Sequence, residues 1–302
     1  MSGRTVGRFA PTPSGRMHLG NVFAALIAWL SVRNMGGKMV LRMEDLDTQR
    51  TSDEFAQILR EDLIWMGLDW DEETQKQSLR SEIYQEYFEK LKAMGLLYPC
   101  YCTRSQLHSV NAPHLSDGTY VYAGTCRNLT KAQQAAFHRD PAWRVQVPDK
   151  TWQFTDLLQG DYTENLKTDC GEFVVRRADG VFVYQLAVTV DDAQAGVTEV
   201  VRGMDLMSSA PRQMYLQALF DFPHPSYGHV PMLVAPDGRR LSKRDQDMDL
   251  GVLRKNMKAE QLLGMLAYAA GLISYKEKIS AEELKKEFSW EKLKRENICL
   301  EI

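Results

Sequence analysis

The order of strand and helix patterns in the first 66 residues constrains the fold more than any other feature of the sequence. Residues 4–10 predict a strand, and a turn rich in Pro and Gly at 11–15 separates it from a predicted helix at 18–34. A second strand is predicted at 39–43, and Thr51 with Glu54 predicts a capped helix that ends near residue 66. Strands joined by crossover helices are typical of a parallel sheet, so the sequence predicts an α/β fold.

The rest of the chain interrupts this pattern and then resumes it. A helix is predicted at 81–94, and the segment after it, rich in Cys, Tyr, Ser, Gly and Pro, is interpreted as an insertion. A helix is also predicted at 207–220, and further strands at 144–147, 173–176, 182–190, 198–201 and 229–234. The predicted parts are two halves of one α/β domain at 1–97 and 130–250, an insertion at 98–129 and a helical tail at 251–302.

The composition excludes several classes of protein. With 44% hydrophobic and 25% charged residues, the chain is neither disordered nor of low complexity. The formal net charge of -3 means that any contact with nucleic acid must be local. No apolar run approaches the ~20 residues that a membrane span needs, and the first residues lack the order of a secretory signal. We therefore expect a cytoplasmic protein with no membrane partner.

The turn between the first strand and the first helix is a candidate site. His18, Gly20 and Asn21 stand where the strand pattern gives way to the helix. In an open α/β sheet, ligands bind at such junctions because backbone N–H groups and the helix dipole face the crevice. A glycine lets a flat base approach the backbone, and an imidazole can donate to a phosphate. Taken alone, this pattern fits an ordinary capped helix with a surface histidine equally well.

A basic loop lies later in the chain, at Arg239-Arg240-Leu241-Ser242-Lys243-Arg244. Residues 239–258 hold seven basic and three acidic side chains, in a chain that is acidic as a whole. A solvated turn is the ordinary interpretation of such a run. The pair of segments, a His-X-Gly helix start and a distant Leu-Ser-Lys loop, nevertheless resembles the two signatures of class I aminoacyl-tRNA synthetases.

Four segments, the first of which contains the His-X-Gly helix start, extend the resemblance to glutamyl-tRNA synthetases. They are RFAPTPSGRMHLGN at 8–21, LRMEDLDTQR at 41–50, VYQLAVTVDD at 183–192 and VTEVVRGMDL at 197–206. They are similar, in the same order, to that family's catalytic domain, which implies a Rossmann-type parallel sheet with helices on both faces. The chain departs from the family pattern at Asn21, where a second histidine is usual, and at 240–244, where Lys-Met-Ser-Lys-Ser is usual.

The resemblance implies roles for the matched positions. The implied catalytic residues are His18 and Lys243, and the implied ATP site comprises His18, Gly20, Asn21 and Lys243, with Mg²⁺ expected beside ATP. The implied glutamate pocket comprises Arg8, Ala10, Thr12, Glu44, Tyr184 and Arg202. Glutamate carries two carboxylates and one ammonium, which match two guanidinium groups and one carboxylate. By pattern alone, Glu44 also fits a metal-binding acidic cluster or a solvated turn, and Tyr184 fits a core aromatic.

The cysteines of the insertion form a second candidate site. Cys100, Cys102 and Cys126 supply three thiolates, and a structural zinc ion prefers four soft or borderline ligands in a tetrahedron. A disulfide between Cys100 and Cys102 would be strained, so the alternative is a group of buried free thiols. The family resemblance implies Tyr122 as the fourth ligand, with His108 and His114 as competitors. Two further cysteines, Cys170 and Cys299, are expected to be structural.

The length of the segment after Lys243 bears on the acceptor. Only 59 residues follow it, enough for a few packed helices but not for a separate anticodon-binding domain. The chain therefore resembles the shortened paralogues of glutamyl-tRNA synthetase, which join glutamate to the queuosine base in the anticodon of tRNA(Asp). This implies glutamate, ATP and the queuosine-bearing anticodon stem-loop of tRNA(Asp) as partners of a monomer.

Three alternative functions stay open from the sequence. The first is a minimal glutamyl-tRNA synthetase that charges the 3′ end of tRNA. The second is a non-catalytic zinc- and nucleotide-binding module with a regulatory role. The third is a nucleotidyltransferase that activates another carboxylic acid, which would not need Arg8 and Arg202 together.

Overall fold

The computed structural model of the chain describes residues 3–107, 121–235 and 249–300. Its helices are α1 (Leu19–Asn34), α2 (Asp53–Trp65), α3 (Ser81–Ala93), α4 (Arg104–Leu107), α5 (Lys131–Ala135), α6 (Tyr184–Gln194), α7 (Ser209–Leu219), α8 (Leu250–Asn256), α9 (Ala259–Ala270) and α10 (Ala281–Glu287). Its strands are β1 (Val6–Phe9), β2 (Lys38–Leu41), β3 (Glu72–Glu73), β4 (Leu97–Cys100), β5 (Ala142–Val145), β6 (Thr151–Asp156), β7 (Gly160–Asn165), β8 (Phe173–Arg176), β9 (Glu199–Gly203), β10 (Ser226–Val230), β11 (Leu233–Val234) and β12 (Ile298–Cys299).

Two groups of parallel strands form the centre of the fold. Strand β2 pairs in parallel with β1 and β3, and β9 pairs in parallel with β10. The two groups meet beside β1, where the backbone N–H of Thr198 donates to the carbonyl of Val6 over 2.9 Å. The chain order therefore reverses at β1, with β2 on one side and β9 on the other. In open α/β sheets, such a reversal opens a crevice at the carboxyl ends of the strands.

Antiparallel strands flank these two groups. Strand β5 pairs with β4 and β8, and β6 forms a hairpin with β7. The predicted strands at 144–147, 173–176 and 198–201 correspond to β5, β8 and β9, and the segment at 229–234 covers the end of β10 together with β11. The β6–β7 hairpin was not predicted.

The segment predicted as a strand at 182–190 is instead a helix, α6. Seven consecutive residues of α6, from Leu186 to Asp192, are buried. A helix covered on all sides has no polar face, so its sequence lacks the 3.6-residue hydrophobic period. Its valines then give the apolar pattern that is typical of a buried strand. The predicted cap of α2 also shifts by one residue, because the Ser52 side chain accepts the Phe55 N–H, whereas the Thr51 hydroxyl donates to the Asp47 carbonyl.

The segment from 249 to 300 packs into the same core as the parallel strands. Leu262, Leu266 and Leu284 are buried in one cluster with the apolar side of α1. Strand β12 pairs in parallel with β11, and the indole of Trp290 donates to the Ser31 hydroxyl of α1 over 3.1 Å. The predicted helical tail is therefore present and also carries one short strand. The predicted division into four parts stays a prediction.

Among the described residues, no helix combines the length and the hydrophobicity that a membrane span requires.

Candidate active site and metal centre

A cavity of about 420 Å³ opens at the carboxyl ends of β1, β9 and β10. Its wall is built by the loop between β1 and α1, by the first turns of α1, by the residues after β2 and by the start of α6. The cavity is lined by all nine of the described residues that were predicted to bind glutamate or ATP. They are Arg8, Ala10, Thr12, His18, Gly20, Asn21, Glu44, Tyr184 and Arg202. The structure thus gathers in one place residues that are up to 194 positions apart. Lys243 lies outside the described residues.

The charged end of the cavity contains a buried network of guanidinium and carboxylate groups. Arg8 donates from Nη1 to the Val201 carbonyl over 3.0 Å, and its Nε lies 3.7 Å from a carboxylate oxygen of Asp192. Arg42 donates to Asp192 over 2.6 Å and to Glu44 over 3.1 Å. The two arginines therefore share the Asp192 carboxylate, and Glu44 is held by Arg42.

Burial and charge compete in setting the pKa values of this network. Burial raises the pKa of Glu44, although the guanidinium groups of Arg42 and Arg8 act in the opposite direction. Burial acts to lower the pKa of Arg42, but the surrounding carboxylates of Asp192, Glu44 and Asp191 outweigh it and raise that pKa. Arg42 therefore stays a cation in this network, and an incoming ammonium would further favour the ionised form of Glu44.

Arg202 points from β9 into the same cavity and is held from three sides. Its Nε donates to His229 over 3.0 Å, and its Nη1 donates to Gln213 over 2.9 Å and to the hydroxyl of Tyr184 over 3.4 Å. Its Nη2 is buried and makes no hydrogen bond with any described residue. A buried N–H without a partner costs free energy, so this atom is a donor available to a ligand.

The first turn of α1 forms the other end of the site. His18 is the N-cap residue with an extended backbone, and no side chain of the first turn is acidic, so that turn itself does not compensate the positive end of the helix dipole. A Cβ atom at Gly20 would lie 3.0 Å from the His18 ring, so a larger residue at position 20 would displace the imidazole. His18 also forms a backbone bridge with Asp249, which brings the start of α8, six residues after Lys243, beside the helix cap.

Three buried residues of the site were not predicted as functional. Arg42 is 1% exposed, and Asp191 and Asp192 are 3% and 5% exposed; they lie behind the cavity wall, where Arg42 contacts Glu44 and Asp192 lies near Arg8. Each interrupts an apolar run, in MVLRM and in LAVTVDD. A charge inside an apolar segment is the signal that identifies such residues, because it must be paired when the segment is buried.

The three cysteines of the insertion come together with Tyr122. The sulfur atoms of Cys100, Cys102 and Cys126 lie within 4.8 Å of one another, and those of Cys102 and Cys126 are 3.6 Å apart. The Tyr122 hydroxyl lies 3.4 Å from the Cys100 sulfur and 3.7 Å from the Cys102 sulfur. Around zinc, with Zn–S bonds of about 2.3 Å, tetrahedral geometry separates two sulfur ligands by about 3.8 Å. The separation of Cys102 and Cys126 is close to this value, so the cluster is a candidate metal site.

The backbone supports this arrangement. The N–H of Cys126 donates to the Tyr122 hydroxyl oxygen over 2.9 Å, and the N–H of Tyr101 donates to the Cys126 sulfur over 3.4 Å. Gly171 has φ +70°, and a Cβ atom there would lie 2.6 Å from the Tyr122 backbone nitrogen, so only glycine fits behind the tyrosine. His108 and His114 lie outside the described residues. Cys170 is buried, and Cys299 is exposed.

The cavity residues lie in a segment that matches a known family. Residues 4–299 match the model of the catalytic domain of class I tRNA synthetases (E and Q). The glutamyl-Q tRNA(Asp) synthetase of Symbiobacterium thermophilum is 44% identical over 97% of this chain and 94% of its own length. The protein of the same name from Thiobacillus denitrificans is 47% identical over 79% of this chain and 77% of its own length.

A solved structure shows the same fold. A glutamate tRNA ligase from Elizabethkingia meningosepticum, in complex with its amino acid, superposes with a TM-score of 0.84 at 25% identity. The match covers 99% of this chain and 67% of that protein.

Proposed function

Because the chain belongs to the glutamyl-Q tRNA(Asp) synthetase family, within the class I tRNA synthetases, we propose that it activates L-glutamate with ATP and transfers it to the queuosine base of tRNA(Asp). The observation that carries this proposal is that several relatives of that name are 43–47% identical over most of the chain. The cavity supports it, since one chain supplies guanidinium groups, a carboxylate and a helix N-terminus around a space of about 420 Å³. The proposal includes action as a monomer, with Mg²⁺ beside ATP.

Within this proposal, each end of the cavity has its own task. Arg202 and Arg8 bind the two carboxylates of glutamate, Glu44 binds its ammonium, and Tyr184 orients Arg202; Ala10 and Thr12 border the pocket. A carboxylate oxygen of the bound glutamate attacks the α-phosphate of ATP, and pyrophosphate leaves. His18 and Lys243 stabilise the charge that develops on the phosphates. Gly20 and Asn21 belong to the helix start that receives the nucleotide.

The experiment that tests the acceptor maps the attached glutamate. tRNA(Asp) containing queuosine is incubated with the protein, ATP and labelled glutamate, and then digested to nucleosides. The labelled glutamate should be recovered attached to the queuosine nucleoside. Recovery of the label on the 3′-terminal adenosine would instead support a minimal glutamyl-tRNA synthetase.

A pocket with two arginines should reject glutamine. The neutral amide leaves one guanidinium without its carboxylate, at a cost of about 2 kcal/mol or more, roughly a 30-fold loss. Pyrophosphate exchange with glutamate and with glutamine measures the preference, which Arg202→Ala should reduce. Arg212→Ala is the matched control, because Arg212 lies on α7 and donates to Cys170 rather than lining the cavity. Comparable exchange with both amino acids in the wild type would refute the two-carboxylate pocket.

We also propose that Cys100, Cys102, Tyr122 and Cys126 hold one structural zinc ion. The metal would tie β4 to the segment that carries Tyr122 and Cys126, since its ligands come from both. Elemental analysis should find about one equivalent of zinc per chain. The pair of substitutions Cys100→Ser and Cys102→Ser should remove the metal and lower the unfolding temperature, whereas Cys299→Ser, which alters an exposed cysteine, should change neither. A metal-free preparation that unfolds at the wild-type temperature would contradict the site.

A further inference from the structure

A line of three buried polar side chains lies behind the glutamate end of the cavity. The carboxylate of Asp156, at the end of β6, lies 2.6 Å from Nδ1 of His229 on β10. The other ring nitrogen, Nε2, lies 3.0 Å from Nε of Arg202 on β9. The side chains of Asp156 and His229 are both 0% exposed, so neither reaches the cavity directly. This line connects a buried carboxylate with the guanidinium that faces the ligand.

The direction of each hydrogen bond in this line is determined by its ends. A guanidinium Nε can only donate, so Nε2 of His229 must accept. The ring proton therefore resides on Nδ1 and is donated to Asp156. The same carboxylate accepts the backbone N–H groups of Leu158 and Gln159, each over 2.9 Å. Burial lowers the pKa of His229, which keeps the ring neutral and the Nε2 lone pair available.

The packing around His229 holds the ring in this orientation. The ring of Tyr227 lies nearly parallel to it, with an interplanar angle of 16° and ring centroids 6.1 Å apart, and the amide of Gln159 fixes the His229 backbone by donating to its carbonyl over 3.0 Å. The Arg202 guanidinium also lies over the Tyr227 ring, 5.4 Å from its centroid. With His229 on Nε and with Gln213 and Tyr184 on Nη1, the rotation of the guanidinium is fixed. Nη2 is the donor that remains for a ligand.

We propose that Asp156 and His229 are positioning residues that fix the tautomer of the ring and thereby aim Arg202 at a carboxylate of the amino-acid substrate. This inference rests on the proposed function, because it assumes that glutamate is that substrate. A guanidinium that is held in place before the ligand arrives loses less entropy on binding. Asp156 and His229 are therefore expected to increase the affinity for glutamate.

Asp156→Asn tests the tautomer with almost no change in shape. The asparagine amide can donate to Nδ1, which moves the ring proton to Nε2. A protonated Nε2 cannot accept the Nε–H of Arg202, so that hydrogen bond is lost. We expect the KM for glutamate in pyrophosphate exchange to rise about tenfold or more, as for the loss of a buried hydrogen bond to a charged group, while the KM for ATP stays within about twofold.

Two substitutions of His229 separate positioning from simple packing. His229→Leu fills the site without an acceptor and should raise the glutamate KM strongly, whereas His229→Gln offers an amide oxygen to Arg202 and should recover part of the loss. His224→Gln is the matched control, because His224 is a partly buried histidine that contacts Gln217 and does not line the cavity.

The tautomer can also be read directly in the wild type. The chain has six histidines, and the His229 signals in a ¹H–¹⁵N spectrum of histidine-labelled protein are those missing from His229→Gln. The expected pattern is a protonated Nδ1 with Nε2 unprotonated. A proton on Nε2, or an unchanged glutamate KM in folded Asp156→Asn and His229→Leu, would overturn the inference. Absence of glutamate-dependent exchange in the wild type would instead remove the proposed function, and this inference with it.

Discussion

Glutamate transfer is expected to disappear on an unmodified tRNA(Asp) transcript and to persist on queuosine-containing tRNA(Asp) that lacks its 3′-terminal adenosine. The reason is that the proposed nucleophile is a hydroxyl of queuosine, which attacks the carbonyl of the glutamyl adenylate and displaces AMP. The anticodon loop must then enter the cavity with the modified base splayed out, as bases of single-stranded loops are usually recognised. Acid-precipitable labelled glutamate measures transfer to each RNA.

Full-length queuosine-containing tRNA(Asp) serves as the reference for both RNAs. Each RNA differs from it in one feature, the modification or the last nucleotide. Pyrophosphate exchange without tRNA shows that the activation half-reaction is intact. Transfer that is lost on trimming and kept on the transcript would identify the 3′ end as the acceptor and reject the proposal.

Replacement of Arg42 by Met should lower the free energy of unfolding by about 3–5 kcal/mol. Arg42 is 1% exposed and lies among the carboxylates of Glu44, Asp191 and Asp192. Its removal takes the ion-pair partner from Glu44 and leaves Asp192 with the more distant Arg8, so buried negative charge is poorly compensated. Methionine fills much of the same volume, which separates the loss of charge from the creation of a cavity. Denaturant titration with intrinsic tryptophan fluorescence measures the change.

Arg33→Met is the matched control for Arg42→Met. Arg33 also contacts two carboxylates, but those of Asp69 and Asp71 are 73% and 36% exposed, and water can solvate them when the arginine is removed. Its loss should cost about 1 kcal/mol or less. Equal destabilisation by the two substitutions would show that the network at the cavity adds nothing beyond an ordinary surface ion pair.

The effect of Arg42→Met should also depend on pH. Burial raises the pKa of Glu44, and Arg42 is the largest opposing influence, so the substitution raises that pKa further. A carboxyl whose pKa is higher in the folded state than in the unfolded state destabilises the fold as the pH rises through it. The loss of stability should therefore be smaller at about pH 5 than at about pH 8, and the opposite order would contradict this assignment.

Prediction from the sequence succeeded where neighbouring residues alone determine the structure, as in turns and helix starts. The loop from Pro11 to His18 combines breakers with a helix start, and its position between β1 and α1 is as predicted. The prediction of a strand at 182–190 was wrong, because a helix that is buried on every side, as α6 is, lacks the 3.6-residue hydrophobic period by which a helix is recognised. Pairings between distant segments were also missed, such as Arg42 with Asp192 and Asp156 with His229, because only the fold brings these residues together.

The position of the last elements has a consequence for biosynthesis. Helix α10 covers part of α1, and β12 completes its pair with β11, so residues 281–299 close the core around a helix that lies about 250 residues earlier in the sequence. During translation, α1 leaves the ribosome long before these partners exist. The part of its apolar surface that faces α10 therefore remains uncovered until residues 281–287 have been made, which favours late closure of this core over stepwise folding along the chain.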